Sequence, residues 1–360
     1  GLFEGVPVVR DGKLSEDAKK ALEYVDNTES SPDPVALETF TASVDGASDT
    51  RVTGKSVTIT LASDVLFDSD SADLSAQADT TLKKAADQLS TYPGGQVTIV
   101  GHTDDVADDA HNQDLSQRRA QAVSDRLGQL ASMSAYSVSV SGKGESEPRV
   151  PNDSDENRQL NRRVEITLVP TQESSTKSPT GTSKDADKGS GKGGGDLPKA
   201  EGPVAKGSEG VTVKRGGGDD KLTFVLKEVT RRGKYLVGEV KATGGPGGTD
   251  VGPADWLQPT QLAGSARGEE DTKLLSAVTG LSLLTAQTRY YPVDYTTTQG
   301  AHHPLSEITA DNKLGDGDAT TLTVVWPDTG QDTATLDLEP ATGPTRPNNP
   351  FRLTDIPVKR

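Results

Sequence analysis

From Ser56 the chain alternates apolar and polar positions. The run SVTITLASDVLF sets Val57, Ile59 and Leu61 on one side, the period of a half-buried strand. The spacing then changes to three and four. Leu74, Ala78, Leu82, Ala85, Ala86 and Leu89 form one helical stripe, which Tyr92-Pro93-Gly94-Gly95 stops. The apolar run 97–100 predicts a second strand that ends at Gly101. A helix is expected over about 115–130, and strands over 136–140 and 163–169, where Val164, Ile166 and Leu168 alternate; a helical turn lies between these two strands. Strands interleaved with helices of this length predict an α/β sandwich, helices over a small mixed sheet, for residues 49–170.

Residues 171–210 hold almost nothing apolar beyond Leu197, Val204 and some alanines. They read as a flexible tether with its ends roughly 35 Å apart, which leaves its flanking domains free to move independently. Past it, residues 211–213, 221–229, 234–242, 281–290, 320–326 and 333–338 are short Thr/Val-rich runs separated by turn clusters. With no helical period, they predict an antiparallel, immunoglobulin-like β-sandwich over 211–360. Residues 1–48 offer one helix, 14–24, and a Pro/Asp/Ser-rich stretch, and are too few to fold alone. The expected fold class is therefore α+β multidomain: a segment, an α/β sandwich, a linker and an all-β sandwich.

Composition narrows the partners. Hydrophobic residues make up 31% of the 360, and Gly and Pro number 38 and 21, which fits modest cores joined by turns and linkers. The 38 basic and 54 acidic residues give a net charge of −16, a field that repels nucleic-acid phosphates. Cysteine is absent, which removes disulfides, thiolate metal sites and cysteine nucleophiles. No apolar run reaches 18 residues, so no transmembrane segment is expected.

The most informative stretch runs from Gly101 to Val123. On its helix Leu115, Ala122, Val123, Leu127 and Leu130 define the buried face, and Arg119, four residues from both Leu115 and Val123, falls on it. A guanidinium on an apolar stripe needs an acceptor. Asp104 is the nearest candidate, just past a strand end where open α/β sheets place their ligands. An Asp and an Arg facing one crevice would receive a zwitterion, the carboxylate taking an ammonium and the guanidinium a carboxylate. Spacing alone leaves equal room for an internal salt bridge that braces strand to helix.

The residues around this pair are Gly101-His102-Thr103-Asp104, Asn112, Leu115-Ser116, Arg119-Ala120 and Val123, followed by Gly142-Lys143-Gly144-Glu145, Pro148 and Asn161-Arg162-Arg163-Val164-Glu165. Phe67-Asp68 and Leu74 precede them at the entry to the first helix. In this order and spacing they resemble the signature of the OmpA-like peptidoglycan-binding domain family, over about a third of the chain. The family usually has Gly where this chain has Ala107. The resemblance implies non-covalent binding of the diaminopimelate residue of the peptidoglycan stem peptide. Asp104 and Arg119 match the two positions the family relies on most, and Asp73, Thr103, Asn112, Leu115 and Arg162 match positions lining the same pocket. It further implies a binding protein of the cell wall or envelope, extracytoplasmic, with no enzymatic activity and no cofactor, from which a leader or anchor is expected to have been removed. The C-terminal sandwich is then presented to an envelope protein or glycan. The alternative is an adhesive or scaffold protein whose main activity is protein or glycan binding by that sandwich.

Other clusters have plainer readings. His102, Asp104, Asp105, Asp108, Asp109 and His111 could suit zinc or manganese, but lack the spacing of a helical HxxxH pair, and no metal is expected. Residues 311–318 are oxygen-rich but lack the EF-hand pattern, so an Asp/Gly turn is preferred over a calcium site. His302-His303 is read as an exposed pair. Ser174 to Lys177 matches SxxK without partner motifs, and no GxSxG, HExxH or P-loop occurs in an interpretable context.

Overall fold

The computed structural model describes residues 9–10, 13–14, 36–171, 196–214, 220–249, 252–257, 267, 278–296, 302–305, 313–340 and 349–360. The chain divides into two compact units, Gly1–Val35 and Ala36–Arg360. In the first, β1 (Val9–Arg10) and β2 (Lys13–Leu14) form a two-stranded antiparallel ladder. Leu14, the first residue of the expected helix 14–24, is therefore a strand residue, and the rest of that helix lies outside the described residues.

The second unit opens with β3 (Ala36–Ser43), β4 (Ser48–Val52) and β5 (Val57–Ala62), followed by the short helix α1 (Ser63–Leu66) and by α2 (Ala78–Leu89). Then come β6 (Gly95–His102), α3 (Asp109–Leu130), β7 (Tyr136–Gly142), α4 (Asp155–Asn161) and β8 (Arg163–Pro170). The strands pair in the order β4-β5-β8-β6-β7, all antiparallel except β6 with β7, whose parallel pairing uses α3 as the crossover. Val57, Ile59 and Leu61 meet Leu82, Ala85, Leu89, Val123 and Leu127 in one core, so α2 and α3 bury the stripes that their spacing predicts.

Two glycines set how close α3 comes to the sheet. A Cβ on Gly101 would stand 2.2 Å from the Ser116 carbonyl oxygen, and one on Gly142 would stand 2.3 Å from the Gln117 nitrogen. Only bare backbone fits there, which brings the start of α3 against the ends of β6 and β7. The helix begins six residues before the expected 115. Asp108 is its N-cap, accepting from the His111 amide at 3.0 Å, and the first turn is polar, with Asn112 its buried position.

The remaining strands are β9 (Val204–Lys206), β10 (Val211–Lys214), β11 (Lys221–Val225), β12 (Val229–Arg232), β13 (Tyr235–Gly244), β14 (Leu281–Leu284), β15 (Thr288–Tyr290), β16 (Asp294–Thr296), β17 (His302–Pro304), β18 (Ala319–Pro327), β19 (Thr333–Leu338) and β20 (Phe351–Lys359). They enclose a second core around Phe224, Leu236, Leu281, Trp326, Leu336 and Phe351. Trp326 donates its indole N–H to the Leu281 carbonyl at 2.7 Å, satisfying the one polar atom of the largest buried side chain. The pairing is not purely antiparallel as expected, since β20 runs parallel to both β12 and β9. Among the described residues this region is strands joined by loops, with one 3-10 turn, Pro253–Trp256.

Two expected boundaries shift. Within residues 1–48, β3 belongs to the sheet: it pairs with β4 on one edge and with β15 and β16 on the other. The α/β part and the C-terminal strands thus share one strand and do not meet only through a tether. Phe40 of β3 packs on Tyr291 with ring centroids 5.4 Å apart, and the Arg267 guanidinium lies 5.2 Å from the Phe40 ring while pairing with buried Asp294. Within 171–210, Val204 and Ala205 pair with Arg352 and Leu353, so this end of the expected tether is a strand. Residues 172–195 lie outside the described ones.

Candidate functional site

The ends of β6 and β8, the α1 turn with the loop after it, and the first turns of α3 enclose a cleft of about 740 Å³. Thr103, Asp104, Asn112, Leu115, Arg119 and Arg162 all line it, so six of the seven expected site residues come together. Asp73 does not line it and is exposed; its amide donates to the Ser71 hydroxyl at 2.9 Å.

The pairing inside the cleft differs from the expected one. Asp104 is held by Arg162, with Nη1 2.7 Å from Oδ2. The same guanidinium takes Asp64 through Nε and Nη2, at 2.8 and 2.7 Å. Donation to the Asp64 carboxylate, above all, holds the Arg162 pKa above its ordinary value. Arg119 instead donates Nε to the Ser71 carbonyl at 2.8 Å and Nη2 to the Asp68 carbonyl at 3.4 Å, and its guanidinium carbon lies 5.1 Å from the centre of the Phe67 ring. It is 5% exposed, and that burial pushes its pKa down, while the nearby Asp64, Asp70 and Asp104 charges oppose the shift. Two main-chain carbonyls and an aromatic face thus provide the acceptor that a buried guanidinium needs, and they leave its charge uncancelled by any carboxylate bonded to it.

The supporting residues explain the rest of the motif. Asn112 donates to the Asp104 and Ala107 carbonyls, each at 3.2 Å, and to Glu145 at 2.6 Å, pinning the loop that carries Asp104. The fully buried Ser116 hydroxyl receives the Gly144 amide at 2.9 Å. The Asn161 side chain bonds the Arg149 and Val150 amides and the Val150 carbonyl, fixing the loop ahead of Arg162. Thr103 is 3% exposed, and its hydroxyl has no partner. His102 is buried just behind, with both ring nitrogens unpartnered. Burial first, and Arg163 second, lower its pKa to about 4. His111, unlike His102, lines the cleft, its Nε2 2.6 Å from Asp70, which lines it too. Among the described residues no group of three His, Cys, Asp or Glu is placed to hold a metal ion.

The sequence that builds this cleft matches a known family model. The model described as the OmpA family covers residues 66–162. Those residues form an OmpA-family domain. Outer membrane porin F of Pseudomonas aeruginosa is 42% identical over 102 residues, covering 28% of this chain and 29% of the relative. The probable lipoprotein YiaD of Escherichia coli is 36% identical over 125 residues, 35% of this chain and 56% of the relative. The chain thus spans about half or less of the length of these curated relatives. Among solved structures, the cell wall anchor of the T6SS from Pseudomonas aeruginosa is 33% identical over 34% of this chain and 88% of that one, with a TM-score of 0.31.

Several cleft residues of the OmpA-family domain carried no sequence signal of a site. Asp64 is a second carboxylate on Arg162, contributed by a helix of only four residues, Ser63–Leu66, at the end of the run that the sequence reads as strand. Asp68 and Asp70 lie in the entry motif, but only their contacts with Arg119 and His111 set them at the cleft. Asp70 has φ +56°, the left-handed region that aspartate tolerates better than most side chains.

Proposed function

We propose that the OmpA-family domain binds peptidoglycan through the diaminopimelate residue of its stem peptide. The domain would anchor an extracytoplasmic protein to the cell wall while the C-terminal strands are presented to an envelope partner, protein or glycan. The observation that carries the reading is Arg119, a buried guanidinium with no carboxylate bonded to it, lining the same cleft as Asp104. An amino acid's carboxylate would take the uncommitted N–H groups of Arg119. Its ammonium would take Asp104, whose Oδ1 receives only a long 3.4 Å bond from the Val106 amide. Phe67 and Leu115 offer an apolar wall for the methylenes between the zwitterionic end and the peptide, and the unpartnered Thr103 hydroxyl offers a further hydrogen bond. The likeness of this domain to an outer membrane porin and to a probable lipoprotein supports the envelope setting. A β-sandwich of immunoglobulin type remains our reading of the C-terminal region, supported by the enclosed core around Trp326.

Sedimentation with purified sacculi tests the proposal. The intact chain is expected in the pellet, released by free diaminopimelate; recovery wholly in the supernatant at low salt would overturn it.

A further inference from the structure

The charges in the cleft are unbalanced, and from this we infer that the site selects among stem peptides by charge, taking those with amidated carboxylates over fully acidic ones. The inference rests on the proposed binding of a stem peptide. Five aspartates line the cleft, Asp64, Asp68, Asp70, Asp104 and Asp108, against two arginines, Arg119 and Arg162, a formal charge of −3 with His111 neutral. The cations are not equally available. Arg162 is already bonded to two carboxylates, whereas Arg119 is bonded only to carbonyls. One carboxylate of the ligand therefore finds a cation, and a second does not.

What a second carboxylate meets is negative charge. The Asp68 side chain is exposed, and only its main-chain oxygen is engaged, by Arg119 and by the Ser71 amide. Asp70 shares its carboxylate with His111, and Asp108 spends one oxygen on the His111 amide. Asp105 and Asp109, also exposed, follow in the chain on the same loop and helix start. In a stem peptide the residue before diaminopimelate is a glutamate linked through its side chain, so its α-carboxylate lies one residue from the gripped end. That distance is within the screening length of about 10 Å at 0.1 M salt, so the repulsion is felt. Amidation removes this charge without removing the zwitterion.

The test is titration of the full chain with two soluble probes, the alanyl-γ-glutamyl-diaminopimelate tripeptide and the same tripeptide amidated at the glutamate α-carboxyl. The amidated peptide is expected to bind roughly three- to tenfold more tightly at low salt, with the gap closing as salt rises. Asp68→Asn keeps the carbonyl that holds Arg119 and is expected to narrow the gap by about half on the logarithmic scale, mainly by improving the acidic peptide. Equal affinities at low salt, or preference for the acidic peptide, overturn the inference and leave the binding proposal standing. Failure of both peptides to bind overturns the proposal and the inference with it.

Discussion

Arg162 grips Asp104, Nη1 to Oδ2 at 2.7 Å, although Arg119 lines the same cleft. The two arginines therefore divide the work. Arg162, spanning Asp64 and Asp104, fixes where the negative charge sits; Arg119, held by the Ser71 and Asp68 carbonyls, keeps its charge for a ligand. A site organised this way is oriented before anything enters it, which reduces the ordering cost of binding.

Removing the uncommitted cation should hurt binding most. Arg119→Ala is expected to weaken binding of a diaminopimelate peptide by about 2–5 kcal/mol, because the ligand carboxylate loses its partner in a desolvated cleft. Arg119→Lys keeps the charge but loses the fork that bonds two carbonyls and a ligand together, so its affinity should fall between alanine and wild type. Titration calorimetry on both variants, with melting curves to verify folding, measures this.

Arg162→Ala should act differently. Its ion pairs are partly exposed, so the loss of stability is expected to stay within about 1 kcal/mol. Asp104 would then be free to rotate beside an unscreened Asp64, and affinity should fall about tenfold, or about 1.4 kcal/mol. A stability loss much larger than the binding loss would mean that Arg162 serves the fold and not the ligand.

Much of this domain was legible in its sequence. Periods of two and of three to four placed β5, α2, β6, α3 and β8, because each buries one face on a common core. The motif also drew Asp104, Arg119, Asn112, Thr103, Leu115 and Arg162 to one place. The partner of Arg119 was not legible, since helical spacing says which face a side chain lies on and nothing about which carbonyl of a distant loop reaches it. The start of α3 was missed because its polar first turns carry no apolar period. β20 was missed because Asp355, with φ +55°, and Pro357 break the local pattern of a strand that long-range pairing with β19 nevertheless holds.

Glycine substitutions test the closeness of α3 to the sheet. Gly101→Ala puts a Cβ 2.2 Å from the Ser116 carbonyl oxygen, and the backbone must yield, at an expected cost of about 1–3 kcal/mol. Gly128→Ala, also tied to α3 but with open space around its added Cβ, should stabilise by about 0.5–1 kcal/mol through helix propensity. Urea unfolding midpoints of the two variants should therefore move in opposite directions.

The shared strand predicts coupled unfolding. A chain beginning at residue 49 lacks β3, which exposes the edges of β4, β15 and β16 and uncovers Tyr291. Calorimetry should show the C-terminal strands and the α/β part both melting at lower temperature than in the full chain. Two unchanged transitions would show instead that the parts are independent and that β3 contributes nothing to either.

His102 sets a pH window for stability. Buried at the end of β6 with no partner for either ring nitrogen, it has a folded pKa of about 4, against an ordinary value of 6.5. Arg163 and Lys143 add to the lowering, while Glu165 and Glu147 oppose it. Between these two values the unfolded chain takes up a proton that the folded chain refuses. Stability is therefore full above about pH 6.5 and is lost as the pH falls toward about 4, by at most about 3 kcal/mol. Glu165, whose pKa is lowered, adds a further loss at more acidic pH, as its carboxylate protonates away from Arg163. His102→Leu removes the titration and the two unsatisfied nitrogens, so its stability should be flat across the upper part of that window. Denaturant unfolding of both proteins from pH 7 to pH 4 measures the difference, and an unchanged slope in the variant would assign the acid sensitivity to the carboxylates alone.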